Sequence, residues 1–232
     1  MCTFDVASTP KAVTISASTS YSRRGAPNAG VAETASAVSA SPAIGSTVPI
    51  TATASFTTNG QLSGVAATSP RNAWAVGGTA GSNPKSIIVH WNGSSWKRVR
   101  SPRGYLVGVA ATSARNAWAV GFDGTSTLIL HWNGRSWKQV SSPGPAGSTF
   151  LGVAATSAGN AWAVGCSACA NGPNKTLIMR WNGTSWRQAR SPSPKGSDLL
   201  YGVAAVSARD AWAVGVAAGK TLIEYWNGTA WN

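Results

Sequence analysis

Few side chains in this 232-residue sequence could perform acid–base, redox or metal chemistry. Six Asp and Glu and two His stand against 19 Lys and Arg, a formal net charge of +13. A glycoside hydrolase, sialidase or lyase needs two placed carboxylates or an equivalent cluster. Beyond residue 58 the acids are Asp123, Asp198, Asp210 and Glu224, and no two of them share a motif. Asp210 takes a turn position held elsewhere by Asn72, Asn116 and Asn160, which gives it a structural role. No catalytic residue, metal ligand or cofactor is assigned.

The sulfur chemistry is equally thin. Cys166-Ser-Ala-Cys169 has redox or zinc spacing, but Cys2 is the only other cysteine and no His lies beside the pair. A redox motif also calls for a helix N-terminus to lower a thiol pKa, and none is expected here. A local loop disulfide or free thiols is the expectation. His90 and His131 share one slot, which Arg180 and Tyr225 fill further on. A slot that accepts His, Arg and Tyr wants an amphipathic side chain beside an indole rather than a base.

The elements that position these residues emerge from the tryptophans. All 12 lie after residue 58, three per repeat. AWAVG carries Trp74, Trp118, Trp162 and Trp212, spaced 44, 44 and 50 residues apart. WNG carries Trp91, Trp132, Trp181 and Trp226, and Trp96, Trp137, Trp186 and Trp231 follow five residues later. Gly64, Gly108, Gly152 and Gly202 open each unit in a GVA element. Such a period belongs to solenoids and propellers. Each unit divides into four short strands, LxGVAATS, NAWAVG, TLIxxW and SWKxV, with Asn-Gly as the hairpin turn between the last two. Gly-Val-Ala suits the crowded innermost strand, and the indoles suit the widening wedge between blades.

The AWAVG…TLIxHWNGxSW pattern resembles the tryptophan-rich propeller repeats of secreted bacterial proteins, especially actinobacterial ones, and loosely the kelch and galactose-oxidase propellers. The likeness spans residues 62–232. It departs from kelch in its double glycine, present only at Gly77-Gly78, and no copper ligand set matches galactose oxidase. The resemblance implies an extracellular protein, although no basic start followed by an apolar stretch marks a signal peptide. No apolar run reaches the roughly 18 residues of a membrane span.

The fold class expected is therefore all-β, a propeller of four tandem four-stranded blades. Residues 1–46, rich in Ala, Ser and Thr, are expected to be disordered, and 47–232 to form the propeller. The repeats fall at about 62–105, 106–149, 150–199 and 200–232. The last lacks most of its fourth strand. The alternating segment 47–57, with Val48, Ile50, Ala52, Ala54 and Phe56, is expected to supply it. An incomplete ring would self-associate instead.

Strand alternation places two loop sets on opposite faces. The one–two and three–four turns barely change between repeats. The two–three and four–one loops vary freely, and a constant scaffold with variable loops points to a binding face. Candidate ligand contacts are Lys85, Asp123, Asn171, Asn174, Lys175 and Lys220 from the two–three loops. Arg103, Tyr105, Lys195 and Asp198 come from the four–one loops. The basic residues spread over turns and outer strands, so the charge forms a rim, not one stripe. The function expected is a non-enzymatic module that recognises carbohydrate or another cell-surface ligand through its variable loops, with carbohydrate or an anionic surface polymer as the partner. The alternatives are a hydrolase- or oxidase-type propeller enzyme and a polyanion-binding adhesion module. Nucleic acid is not expected as a partner.

Overall fold

The computed structural model describes residues 56–124, 126–169, 173–192 and 197–232, and the backbone of residues 2–4, 13–17, 34–39 and 54–55. The chain is all-β, a propeller-type arc of antiparallel blades. Four strands, β1 (Cys2–Phe4), β2 (Val13–Ala17), β3 (Thr34–Ser39) and β4 (Ala54–Thr57), make a first sheet in chain order. The repeats follow. Blade one is β5 (Gln61–Ser69), β6 (Asn72–Gly78), β7 (Ser86–Trp91) and β8 (Trp96–Arg98). Blade two is β9 (Tyr105–Ser113), β10 (Asn116–Phe122), β11 (Thr127–Trp132) and β12 (Trp137–Gln139). Blade three is β13 (Thr149–Ser157), β14 (Asn160–Ser167), β15 (Lys175–Trp181) and β16 (Trp186–Ala189). Blade four is β17 (Asp198–Ala205), β18 (Ala211–Ala217) and β19 (Lys220–Trp226). Each sheet runs in chain order. Among the described residues no helix is long and apolar enough to cross a membrane.

The inner strands β5, β9, β13 and β17 pack side by side in succession. Glycine permits this. A Cβ on Gly64 would lie 3.1 Å from Gly108 Cα, and one on Gly152 would lie 3.1 Å from Gly202 Cα. The strand-two glycine has a different reason. A Cβ on Gly121 would collide with the Tyr105 carbonyl, at the bulge where β9 shifts register against β10. The same clash recurs at Gly77, Gly165 and Gly215. The final G of AWAVG is thus dictated by the neighbouring strand's bulge.

Between blades the indoles form the core. Trp74 meets Trp137 of the next blade edge to face at 5.1 Å, and Trp162 meets Trp231 in the same way at 5.2 Å. Trp74, Trp118 and Trp162 are fully buried among Val, Ile and Leu side chains. Burial of one indole contributes about 5 kcal/mol before chain entropy is counted.

The last strand of blade four, β19, pairs along its outer edge with residues 231–232, through the Trp226–Trp231 bridge and reciprocal backbone bonds between Tyr225 and Asn232 at 2.9 and 3.0 Å. Of the segment 47–57, residues 47–53 lie outside the described residues. Ala54–Thr57 pairs with β3 rather than β19, in the register Thr34–Thr57 to Ala37–Ala54. Phe56 packs on blade one with Leu62 and Trp91, against Ala73, Ala75, Ile87, Val89 and Trp96.

The Asn-Gly hairpin also differs in detail. Among the described residues only Ala168 and Ala218 are non-glycine positions with positive φ, so the turn asparagines are not left-handed. Gly93 takes that conformation, φ 97°, while Asn92 acts through its side chain: Oδ1 accepts from Ser94 N and Ser95 N, both at 3.0 Å. The four-residue loop 92–95 is an Asx turn rather than a two-residue mirror-image turn. Asn133, Asn182 and Asn227 repeat it.

Candidate binding face and a buried carboxylate pair

The constant face spends its polar groups on itself. The strand-three indoles Trp91, Trp132, Trp181 and Trp226 each donate Nε1–H to a carbonyl of the one–two turn, at Pro70, Ala114, Ala158 and Ala208. His90 stacks on Trp74 at 4.2 Å, with Nε2 2.8 Å from Asn72 Oδ1. His131 repeats the arrangement with Trp118 and Asn116. Burial lowers both imidazole pKa values from 6.5, which favours the neutral ring. Arg180 lies 5.0 Å over Trp162 and donates to the Ala208 carbonyl. Tyr225 donates to Asp210 Oδ1 at 2.8 Å beside Trp212. One slot thus holds His, Arg or Tyr as an indole lid with a polar tip.

On the opposite face the variable loops are tied to one another. Arg103 Nη1 donates to Asn83 Oδ1 at 3.4 Å, and Gly104 N to the Pro84 carbonyl at 3.3 Å. Asp198 N donates to the Asn174 carbonyl and Cys169 N to the Gly147 carbonyl, both at 2.9 Å. Each bond joins a two–three loop to a four–one connection. Cys166, near the end of β14, is disulfide-bonded to Cys169, which pins the start of the following two–three loop. The result is a rim held by backbone and side-chain bonds, not a fringe of separate loops.

The candidate contacts divide by place. Lys85, Arg103 and Asp123 are exposed on loops, and Lys175 and Lys220 are exposed as the first residues of β15 and β19. Asn174 is half-buried. Tyr105 is also half-buried: it stacks on Phe122 at 5.5 Å and donates to Gln61 Oε1 at 2.9 Å, bracing β9 against β5. Asn171 and Lys195 lie outside the described residues. Asp198 is buried, with 0% exposure, so it does not present its carboxylate to a ligand on the surface. Four exposed cations therefore face one exposed acid, Asp123, in this set.

Asp198 belongs to a different grouping. Glu224, on β19, is 1% exposed, and Ser191 Oγ lies 2.9 and 3.1 Å from its two carboxylate oxygens. Ser191 Oγ is also 2.7 Å from Thr176 Oγ1. Burial pushes the Glu224 carboxyl up to about 7; the Ser191 hydrogen bond opposes this and the charge of Asp198 adds to it. Two carboxylates 26 residues apart in sequence thus interact across the start of blade four. An open groove of about 440 Å³ includes Ser191, together with Arg190, Pro192, Trp226, Thr229 and Trp231 among others. Only Ser191 belongs to both groove and carboxylate cluster. Both acids are buried, Asp198 at 0% and Glu224 at 1% exposure.

Glu224 is the residue that motif reasoning passed over. Its column across the repeats reads Val89, Leu130, Met179, Glu224. An acid in an otherwise apolar column is a visible signal once repeats are aligned. Its relation to Asp198 is not, because that depends on how β17 and β19 fold onto one sheet within blade four.

No protein-family model matches the sequence, and neither does any curated protein. Solved structures similar to the chain include YCF48 bound to D1 peptide, 14% identical with a TM-score of 0.40, covering 75% of this chain and 68% of that one. YCF48 from Cyanidioschyzon merolae is 16% identical with a TM-score of 0.49, covering 72% of this chain and 51% of that one. The chain thus spans about half the length of the second structure.

Proposed function

We propose that this protein is a non-enzymatic propeller module that binds an anionic polymer, such as an acidic cell-surface polysaccharide, on the face formed by its two–three and four–one loops. The observation that carries the reading is the cross-tied rim with Lys85, Arg103, Lys175 and Lys220 exposed against Asp123 alone. A rim fixed before binding loses little conformational entropy on contact. Clustered cations raise the local concentration of a polyanion and make its binding fall with salt. Burial of Asp198 and Glu224 keeps off the surface two acids that would oppose such a ligand. An extracellular setting fits this ligand class and belongs to the same proposal.

An array of acidic and neutral glycans probed at low and high salt tests it. The expected result is retention of acidic glycans at low salt, loss at high salt, and weakening by Lys85→Glu with Arg103→Glu. Lys97→Glu, on the outer strand β8, serves as the control. Salt-independent retention of neutral glycans would replace the polyanion with direct sugar recognition. Turnover of any glycoside by the intact protein would revive the enzyme.

A further inference from the structure

Asn-Gly occurs six times in the sequence, at Asn59, Asn92, Asn133, Asn171, Asn182 and Asn227. The dipeptide carries a chemistry of its own. Glycine has no Cβ, so little shields its backbone nitrogen from the carboxamide carbon of the asparagine before it. Asn171 lies outside the described residues. The other five are all exposed, so access to water does not separate them.

Hydrogen bonding does. Asn92 Oδ1 accepts from Ser94 N, Ser94 Oγ and Ser95 N at 3.0, 2.9 and 3.0 Å. Asn182 Oδ1 accepts in the same way from Thr184 N, Thr184 Oγ1 and Ser185 N. Asn227 Oδ1 does so from Thr229 N, Thr229 Oγ1 and Ala230 N. At Asn133 the hydroxyl is missing, because Arg135 stands where the other turns have Ser or Thr. Its Oδ1 accepts only from Arg135 N and Ser136 N, at 3.0 and 3.1 Å. The Asn59 carboxamide, between β4 and β5, has no hydrogen-bond partner among the described residues.

We propose that Asn59-Gly60 is a site of spontaneous deamidation, and that the Asx turns of the blades withhold the same reaction from Asn92, Asn133, Asn182 and Asn227. The Gly60 nitrogen attacks Asn59 Cγ. The Cγ–Nδ2 bond breaks, and ammonia leaves with the proton that the Gly60 nitrogen gives up. Water then opens the cyclic imide. Cleavage of the new Cγ–N bond yields aspartate; cleavage of the original peptide C–N bond yields isoaspartate, whose main chain is one carbon longer. Either product sets a carboxylate next to Thr58, whose Oγ1 accepts from Arg98 Nη1 at 3.2 Å. In a turn, ring closure must first swing Oδ1 off the N–H and O–H groups that bond it. Each bond lost slows closure about fivefold, so Asn133 should lag Asn59 roughly 25-fold and the other three about 100-fold.

Incubation of the folded full chain in mildly alkaline buffer, followed by digestion and mass spectrometry of each Asn-Gly peptide, tests this. Asn59 should convert first, Asn133 next, and Asn92, Asn182 and Asn227 last. In urea the five rates should converge, because the unfolded chain has no Asx turns to break. Ser94→Ala should speed Asn92 about fivefold, and Arg135→Ser should slow Asn133 by about the same factor. An Asn59 no faster than the turn asparagines, an order that survives in urea, or an Asn92 rate indifferent to Ser94→Ala would each overturn the proposal.

Discussion

Trp118 and Trp186 meet edge to face at 5.1 Å with an interplanar angle of 89°, although they belong to neighbouring blades and lie 68 residues apart in sequence. Strand two of one blade thus supplies a ring face, and strand four of the next supplies its cover. The contact holds blades together, not strands.

Removal of that ring should be costly where it is covered and cheap where it is not. Trp118→Ala leaves a cavity in a fully buried cluster and is expected to destabilise by about 3–5 kcal/mol. Trp212→Ala, where the ring is 41% exposed, should cost under about 1 kcal/mol. Urea denaturation of the two variants checks the contrast; equal losses would contradict the blade assignment.

Gly121→Ala tests the bulge. Its Cβ has no room beside the Tyr105 carbonyl, and both partners are backbone, so the β9–β10 ladder must shift. A loss of about 2 kcal/mol or more is expected. Gly124→Ala lies in open space, and its φ of 93° leaves only the local backbone penalty, about 1–2 kcal/mol.

Glu224 gives stability a pH slope of known sign. Its carboxyl rises from 4.5 in the unfolded chain to about 7 when folded, so the folded state holds the proton more tightly. The stabilisation is complete below about pH 4.5 and is lost as pH rises through 7, on the order of 3 kcal/mol in all. His90 and His131, with lowered pKa values, slope the opposite way near their unfolded pKa. Comparing parent and Glu224→Gln by denaturation at pH 5 and pH 8 isolates the glutamate. The parent should lose more stability than the variant on going to pH 8. An equal change in both would refute the assignment.

Reduction of Cys166–Cys169 should have a modest effect. The bond closes a loop of only a few residues, for which chain entropy allows at most about 2 kcal/mol. Thermal melts with and without a thiol reductant measure this. Binding on the variable face should weaken more than stability does, because the bond fixes a rim loop.

The repeat frame made the fold readable. AWAVG, WNG and the following Trp fall at fixed offsets, and the small GVA element belongs at the narrow axis, where Gly64 and Gly108 do come together. The slot shared by His90, His131, Arg180 and Tyr225 was also legible, since only a lid over an indole accepts all four. What could not be read depends on three-dimensional seating. Asp198 looked like a loop acid because its neighbours are loop residues, yet the start of β17 carries it inward. Ala54–Thr57 has the alternation of a strand, but alternation does not name a partner, and β3 competes with β19 for it. The turn asparagines illustrate a finer limit: Asn-Gly fits both a mirror-image turn and an Asx turn, and only the backbone N–H groups that bond Asn92 Oδ1 distinguish the second.

The junction between blades three and four also determines how the molecule comes apart. When every unit is held chiefly by its neighbours, stability is a sum of nearest-neighbour couplings along a line. Among the described junctions, the one between blades three and four differs in holding a buried acid, Glu224 on β19. Local unfolding should therefore start at β17–β19 and travel inward. Amide exchange would record this as protection that rises from blade four toward blade two.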